Sequence, residues 1–460
     1  MPAYFSTAEV AAMAGVHRDT LLRWLRTRVV QEPMRDRRGW RSFAPEEAAS
    51  VVAFARGDER QAAKLMPIEG DAALQRLSAI EWDFASANTS YLTHSIHPYP
   101  AKFIPQIPNA LIQELSSVGE TVADIFCGSG TTLLEALQLK RNAIGIDANP
   151  LAALISQAKT TLIPEPELEV LEKHSLECQD LLARAGALTG NLFDERVPFK
   201  SDAWRPAKDV CEFWFEQHVV EELAELRKAI VAIASDRVRR LCQVVFAAII
   251  VAVSKQDSDT RYVRREKAIA PGETVRRYMG KLESARVAVR RMSDLVERRF
   301  ACQILNADIL NCPIVPEVDL VVTSPPYPNA YSYHLYHRTR LLWLGHDPST
   351  FKQVEIGSHR KYSARSQQRA TPATFRQEFD QIFCQLRKSL RPKRYACFVI
   401  GDSTVDGTRV DNSSILASAG ANHGFKEVKR IRRTIAPTRK SFNPRMGRIK
   451  NENILILRKD

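Results

Sequence analysis

In the first part of the chain, apolar positions recur at helical spacing in short bursts. Val10 and Met13 form one brief face, Gly15 interrupts it, and Leu21, Leu22 and Leu25 form a second. Ser6-Thr7-Ala8-Glu9 has the form of a capping box, in which Ser6 accepts from the amide of Glu9 and Glu9 reaches back. The second helix also carries Arg18, Arg23 and Arg26. After it, Arg35-Asp36-Arg37-Arg38-Gly39-Trp40-Arg41-Ser42-Phe43 reads as a basic turn with aromatics on its far side, and a third helix is expected after Pro45. Farther along, the period changes. Residues 122–126, 143–146, 320–322 and 396–400 are short, β-branched and almost continuously apolar, which is the pattern of strands buried on both faces of a parallel sheet. Helical patterns alternate with them, so a doubly wound α/β domain is expected. Residues 166–298 break the alternation. Val220, Leu223, Leu226, Ile230 and Ile233 keep helical spacing, residues 244–253 read as a buried helix, and residues 273–299 as a basic amphipathic one. The expected organisation is a small helical unit over 1–60, a polar connector over 61–90, an α/β domain split between 91–165 and 299–460, and an α-helical insertion over 166–298.

Composition narrows the class. The 460 residues carry 66 Lys+Arg against 53 Asp+Glu, a net charge of +13, with 45% hydrophobic and 26% charged residues. That balance is globular. The longest apolar stretch, residues 244–253, is about half of what a bilayer span needs, so no membrane association is expected. The N-terminus lacks a basic region followed by an apolar one, and the eight cysteines form no C-x-x-C pair. A reduced, cytoplasmic protein without a zinc cluster is therefore expected. The histidines at 94, 97, 334 and 337 fit no zinc spacing, so no metal is expected. The positive charge permits a polyanionic partner.

Two motifs carry chemistry. Asp124-Ile125-Phe126-Cys127-Gly128-Ser129-Gly130-Thr131-Thr132 lies where a strand passes into a helix. Glycines there let a ligand approach the backbone, and a helix N-terminus favours a negative group. Gly145-Ile146-Asp147 then puts a carboxylate at the tip of the next strand, where it can accept both hydroxyls of a ribose. Leu133 stands where a dinucleotide fingerprint needs its third glycine, and no Gly-Lys-Ser/Thr of a P-loop is present, so these residues fit a nucleoside cofactor without choosing one. The second motif is Ser324-Pro325-Pro326-Tyr327, directly after a strand. Its prolines fix φ and remove two donors. What remains is a rigid turn that shows a hydroxyl, a carbonyl and an aromatic face, a set that can hold the hydrogens of an exocyclic amine and stack on its ring.

With both motifs in this order, the chain closely resembles the amino-methylating DNA methyltransferases, which make N4-methylcytosine or N6-methyladenine. The resemblance implies a Rossmann-like sheet, S-adenosylmethionine as methyl donor, no metal, and Asp/Asn/Ser-Pro-Pro-Tyr as the catalytic tetrapeptide, here Ser324, Pro325, Pro326 and Tyr327. Carried over by position, Asp124, Phe126, Gly128, Ser129, Gly130 and Thr131 match the loop that holds the donor's methionine part. Asp147 matches the ribose acid and Asp308 the group near the adenine amine. In His97-Pro98-Tyr99-Pro100-Ala101-Lys102-Phe103, Lys102 and Phe103 match the segment that closes over the methionine end. Asn453-Ile454-Leu455-Ile456-Leu457 matches the terminal strand. A serine in first place is commoner in the N4-cytosine enzymes, so cytosine is the expected target and N6-adenine the alternative.

The layout of residues 4–58 resembles the winged helix-turn-helix of MerR-type regulators, which implies a double-stranded DNA partner contacted by Arg18, Arg23, Arg37, Arg38 and Arg41. Arg432, Arg433, Arg439 and Lys440 are expected at phosphates, and Arg360 and Lys361 on a mobile loop that orders on DNA. The resemblance also implies a nucleoid-associated protein with a possible restriction or defence partner. A regulator that keeps the fold without turnover is the reading from another class.

Overall fold

The computed structural model describes residues 4–460 apart from 27–29, 31–32, 36–40, 57–69, 86, 103, 187–198, 313–316, 364–368 and 436–450. The strands, in chain order, are β1 (Phe5–Ser6), β2 (Met34–Arg35), β3 (Arg41–Phe43), β4 (Thr121–Asp124), β5 (Asn142–Asp147), β6 (Gln256–Ser258), β7 (Arg261–Arg264), β8 (Cys302–Asn306), β9 (Val318–Thr323), β10 (Leu390–Gly401), β11 (Ser403–Val405), β12 (Thr408–Val410), β13 (Phe425–Thr434) and β14 (Asn451–Lys459).

The N-terminal unit packs the helices Thr7–Met13, Arg18–Arg26 and Pro45–Arg56 against a small sheet of order β1-β3-β2. The capping box is formed: the Ser6 amide donates to Glu9 Oε2 at 2.7 Å and the Glu9 amide to Ser6 Oγ at 3.4 Å. Val10, Leu21, Leu25, Phe43 and Val51 make its core.

The main sheet has seven strands in the order β13-β14-β10-β9-β4-β5-β8. From β10 to β8 every pairing is parallel, but β14 runs antiparallel to both β10 and β13. The sheet is therefore mixed: the four strands expected from their apolar runs are parallel, and the antiparallel pairings are those of β14. Alternation along the central strands explains the layers. Val321, Ala396, Phe398 and Ile400 point to one face, under the helices Pro372–Ser389 and Asn412–Ala421, where Phe375, Phe379, Phe383 and Leu416 are buried. Leu320, Val322, Cys397 and Val399 point to the other, under the helices Gly70–Ser78, Gln106–Leu115 and Thr131–Gln138. With both faces covered, the strands lose the polar half of the usual alternation.

The long helices Glu165–Gly186, Gln217–Val231, Asp236–Val253 and Glu273–Leu295 lie between β5 and β8 in sequence, outside the main sheet. Their core is continuous with Leu151 and Ile155 of the helix Pro150–Thr160 and with Leu341 and Trp343. No helix among the described residues is long and apolar enough to cross a membrane.

One buried carboxylate ties three segments together behind the sheet edge. Glu135 accepts from His94 Nε2, the Tyr91 hydroxyl and Asn109 Nδ2, each at 2.7 Å. Replacing Glu135 with Ala strands the buried donors of His94 and Asn109 and the half-buried Tyr91 hydroxyl, and is expected to cost about 3 kcal/mol or more. Urea unfolding measures it; an unchanged midpoint would mean those donors find other partners.

Candidate active site

Asp124, Asp147, Asn306 and Thr323 end parallel strands on one edge of the sheet. In open α/β sheets ligands bind outside the carboxyl ends of the strands. A cavity of about 710 Å³ opens there, and Lys102, Phe126, Gly128, Ser129, Thr131, Asp147, Asp308 and Ser324 to Tyr327 all line it. Segments far apart in sequence thus share one wall.

The glycine loop is shaped from behind. Gly128 and Gly130 have φ of +50° and +75°, the left-handed region that strains any side chain. The Gly128 amide donates to Asp147 Oδ2 and the Asn149 amide to Oδ1, both at 2.8 Å. Burial lifts the Asp147 carboxyl to about 6 against these two bonds. Two expected ligand contacts need correcting. Gly130 is not among the residues that line the cavity, and a Cβ there would lie 2.8 Å from Ser156 Oγ. Asp124 is 1% exposed and accepts from Thr323 Oγ1 at 2.6 Å and from the Phe126 amide at 3.2 Å. Burial raises its carboxyl to about 6 as well. Both residues form the loop, because the strand ends must be joined before the loop can turn outward.

Asp308 is half-buried and fixed by its own turn, accepting from the Leu310 amide at 3.1 Å and Asn311 Nδ2 at 2.7 Å. Lys102 Nζ donates to the His94 carbonyl at 2.9 Å. Phe103 lies outside the described residues.

The proline corner is held at both ends. Ser324 Oγ donates to the Val399 carbonyl at 3.0 Å. A hydroxyl has one proton, so its lone pairs remain as acceptors, and Ser324 lines the cavity. The Tyr327 hydroxyl donates to Glu452 Oε1 at 3.0 Å. Burial and the Glu452 charge hold that phenol well above its usual range, so it stays a donor. Glu452 Oε2 takes Arg433 Nη1 at 2.6 Å, and Arg433 Nε donates to the Trp82 carbonyl at 3.1 Å. Arg433 is therefore 6% exposed and inside the cavity wall, a correction to its expected place at phosphates. It turns inward because Glu452 stands directly opposite it on β14.

Sequence reasoning missed much of the remaining wall. Glu355 is buried and accepts from the Tyr333 amide at 2.5 Å and from His334 Nδ1 at 2.5 Å. Tyr99 stacks on Tyr333 at 6.0 Å. Ser258, Asp259 and Thr260, from the turn between β6 and β7, close another side. Tyr331 and Tyr333, which the sequence offers as candidates for the base pocket or for core packing, both line the cavity; Glu355 and the 258–260 turn offered no signal.

The expected DNA contacts divide. Arg18, Arg360 and Arg432 are exposed, and Arg41 is half-buried on β3. Arg360 and Lys361 sit on the short helix His359–Tyr362, not on an irregular loop, and Lys361 Nζ donates to the Gln353 carbonyl at 3.1 Å. The Arg23 side chain, Arg37, Arg38, Arg439 and Lys440 lie outside what is described.

Residues 31–158, which include the glycine loop and Asp147, match the family model described as DNA methylase. Over 129 residues the chain is 34% identical to the type II methyltransferase M.MjaII of Methanocaldococcus jannaschii, covering 27% of this chain and 23% of that one. It is 26% identical over 283 residues to the type II methyltransferase M.MvaI of Kocuria varians, covering 57% and 59%. The chain thus spans less than two thirds of these relatives' length. Among solved structures, a TehB-like SAM-dependent methyltransferase from Corynebacterium glutamicum aligns at 8% identity and a TM-score of 0.29, covering 85% of this chain and 98% of that one.

The corner leaves no room on one side. Gly357 has φ +73°, and a Cβ there would lie 2.7 Å from the Tyr327 carbonyl oxygen. Gly357→Ala therefore adds backbone strain and a clash, with an expected cost of about 2 kcal/mol. Thermal unfolding reads it, and a variant as stable as the parent would show that the corner yields freely.

Proposed function

We propose that the chain transfers a methyl group from S-adenosylmethionine to an exocyclic amine of a DNA base, the N4 amine of cytosine in particular. The observation that carries this reading is the Ser324 bond to the Val399 carbonyl at 3.0 Å, which fixes the serine oxygen as an acceptor in the cavity that the glycine loop also lines. The residue chemistry fits the donor: the Asp147 carboxylate for two ribose hydroxyls, Asp308 for the adenine amine, and Gly128 and Ser129 for close backbone approach. When bound, S-adenosylmethionine supplies a methyl already activated on a positively charged sulfur.

An amine conjugated with its ring is a weak nucleophile. Ser324 Oγ and the Pro325 carbonyl accept its hydrogens and turn its lone pair toward the methyl. Tyr327, held by Glu452, offers its ring face to the base. Both act by positioning, at no cost of reorganisation during the reaction. The target amine lies inside a duplex, so the base must leave the stack to enter the cavity. The DNA substrate is supported by the family match, by the type II methyltransferases among the relatives, and by Arg18, Arg360 and Arg432 at the surface. Cytosine is favoured by the serine in first place of the tetrapeptide.

Ser324→Ala is expected to cut turnover by about 10²-fold or more while donor affinity is unchanged. Full activity of the variant would remove Ser324 from the reaction. Mass spectrometry of nucleosides from host DNA, with and without the active chain, identifies the base: N6-methyladenine in place of N4-methylcytosine would overturn the cytosine assignment.

A pH dependence follows from Asp147. Its folded value of about 6 lies above the ordinary 3.8, so it ionises late. A protonated carboxyl turns one oxygen into a donor and accepts more weakly, so it holds two ribose hydroxyls less well than the carboxylate does; donor affinity is full well above pH 6 and falls as pH drops through it, by up to about tenfold per unit. Calorimetry between pH 5 and 8 tests this, with Asp147→Asn expected to bind weakly and without that slope; the same slope in the variant would assign the titration elsewhere.

A further inference from the structure

We propose that Lys159, together with Lys102 and the start of the helix Thr131–Gln138, holds the carboxylate at the amino-acid end of the donor. The inference rests on the donor reading above and extends it to a residue outside every motif.

Lys159 lies near the end of the helix Pro150–Thr160 and is 0% exposed. Its Nζ reaches one hydrogen-bond partner among the described residues, Ser129 Oγ at 3.4 Å. An ammonium has three donors, and a buried one without an anion is costly. The carboxylate whose field it feels is Glu135. That carboxylate is already committed to His94, Tyr91, Asn109 and Gln138, the last at 3.0 Å, and forms no ion pair with Lys159. The resident acid therefore serves other groups; burial holds the Lys159 amine well below its usual range, and an incoming carboxylate would restore its charge.

A second ammonium approaches the same place. Lys102 is exposed on the cavity wall, anchored to the His94 carbonyl at 2.9 Å, and its charge repels that of Lys159. Lys159 thus stands behind Ser129, which lines the cavity as Lys102 does. The helix Thr131–Gln138 starts there with no side-chain cap on its first amides, and Thr131 lines the cavity too. A buried cation, an exposed cation and uncapped amides make an anion site. Among the lining residues Lys102 carries the ammonium, and Asp147 and Asp308 are two of the carboxylates. A donor with a nucleoside at one end and a carboxylate at the other brings an anion that these lysines can pair with.

The test is calorimetric binding of S-adenosylmethionine and of its decarboxylated form to the full chain. The parent is expected to prefer the carboxylated donor by about tenfold or more, the scale of a hydrogen bond to a charged group. In Lys159→Met that preference should fall by about tenfold while affinity for the decarboxylated form is unchanged. Equal weakening of both ligands would mark Lys159 as packing and overturn the proposal. Because Lys159→Met can fail to fold, the same ligands are titrated against Lys102→Met, whose exposed site tolerates the change; an undiminished preference there overturns the shared clamp. A parent that binds both forms alike overturns this inference alone, whereas one that binds neither overturns the donor reading with it.

Discussion

The site depends on how one short turn is pinned. Two prolines fix the backbone of the Ser324–Tyr327 turn, but they cannot fix where it points. That is set at its two ends, by the Ser324 bond to a carbonyl of β10 and by the Tyr327 bond to Glu452 of β14. Both anchors belong to the sheet, and Glu452 sits opposite Gly401 of β10 in register. A glycine at 357 then closes the third side against the Tyr327 carbonyl. The turn is thus a rigid outgrowth of the sheet edge, and rigidity is what acceptor placement requires, because a group that must move to meet its partner loses the advantage of being there.

Around that turn, charge is placed by burial as much as by residue type. Asp124 and Asp147 both have carboxyls lifted to about 6 by desolvation, yet they serve different ends. Asp124 is closed off by Thr323 and bonds the ends of β4 and β9, while Asp147 opens on the cavity. Glu135 and Glu452 each collect several donors and so act as fasteners. Arg433 illustrates the consequence: an arginine that a charge count assigns to the surface is drawn inward when a carboxylate faces it across a strand pair, since a paired, hydrogen-bonded guanidinium is tolerated where a lone one is not.

Much of this could be read from the sequence, for a physical reason. Strands buried on both faces are nearly all apolar, so the strands containing Val122, Ile144, Val321 and Phe398 were visible. The glycine loop and the proline corner were visible because φ restrictions leave marks in residue type. The edge was not. β13 reads Phe-Lys-Glu-Val-Lys-Arg-Ile-Arg-Arg-Thr, and only Phe425 and Arg433 in it are buried. Edge strands protect themselves with charge, which erases the apolar signal and here passed for a phosphate-binding run. Glu452, Glu355 and Lys159 were equally hidden, because a single buried charged residue looks like any surface one until its neighbours are known.

The helices between β5 and β8 take their place in the site through one contact system. Their hairpin presents Ser258, Asp259 and Thr260 to the cavity. Arg340, wholly buried, joins that hairpin to the chain after the proline corner: its Nε donates to the Ala247 carbonyl at 2.9 Å and its Nη2 pairs with Asp259. Gln256 adds bonds to the Tyr336 carbonyl at 3.2 Å and the Thr339 hydroxyl at 3.0 Å. The same stretch carries Tyr333, which stacks on Tyr99 from the segment ahead of the sheet. Three parts of the chain remote in sequence therefore meet in one wall, and a displacement of the hairpin would be felt through Arg340 at the aromatic face beside Asp147.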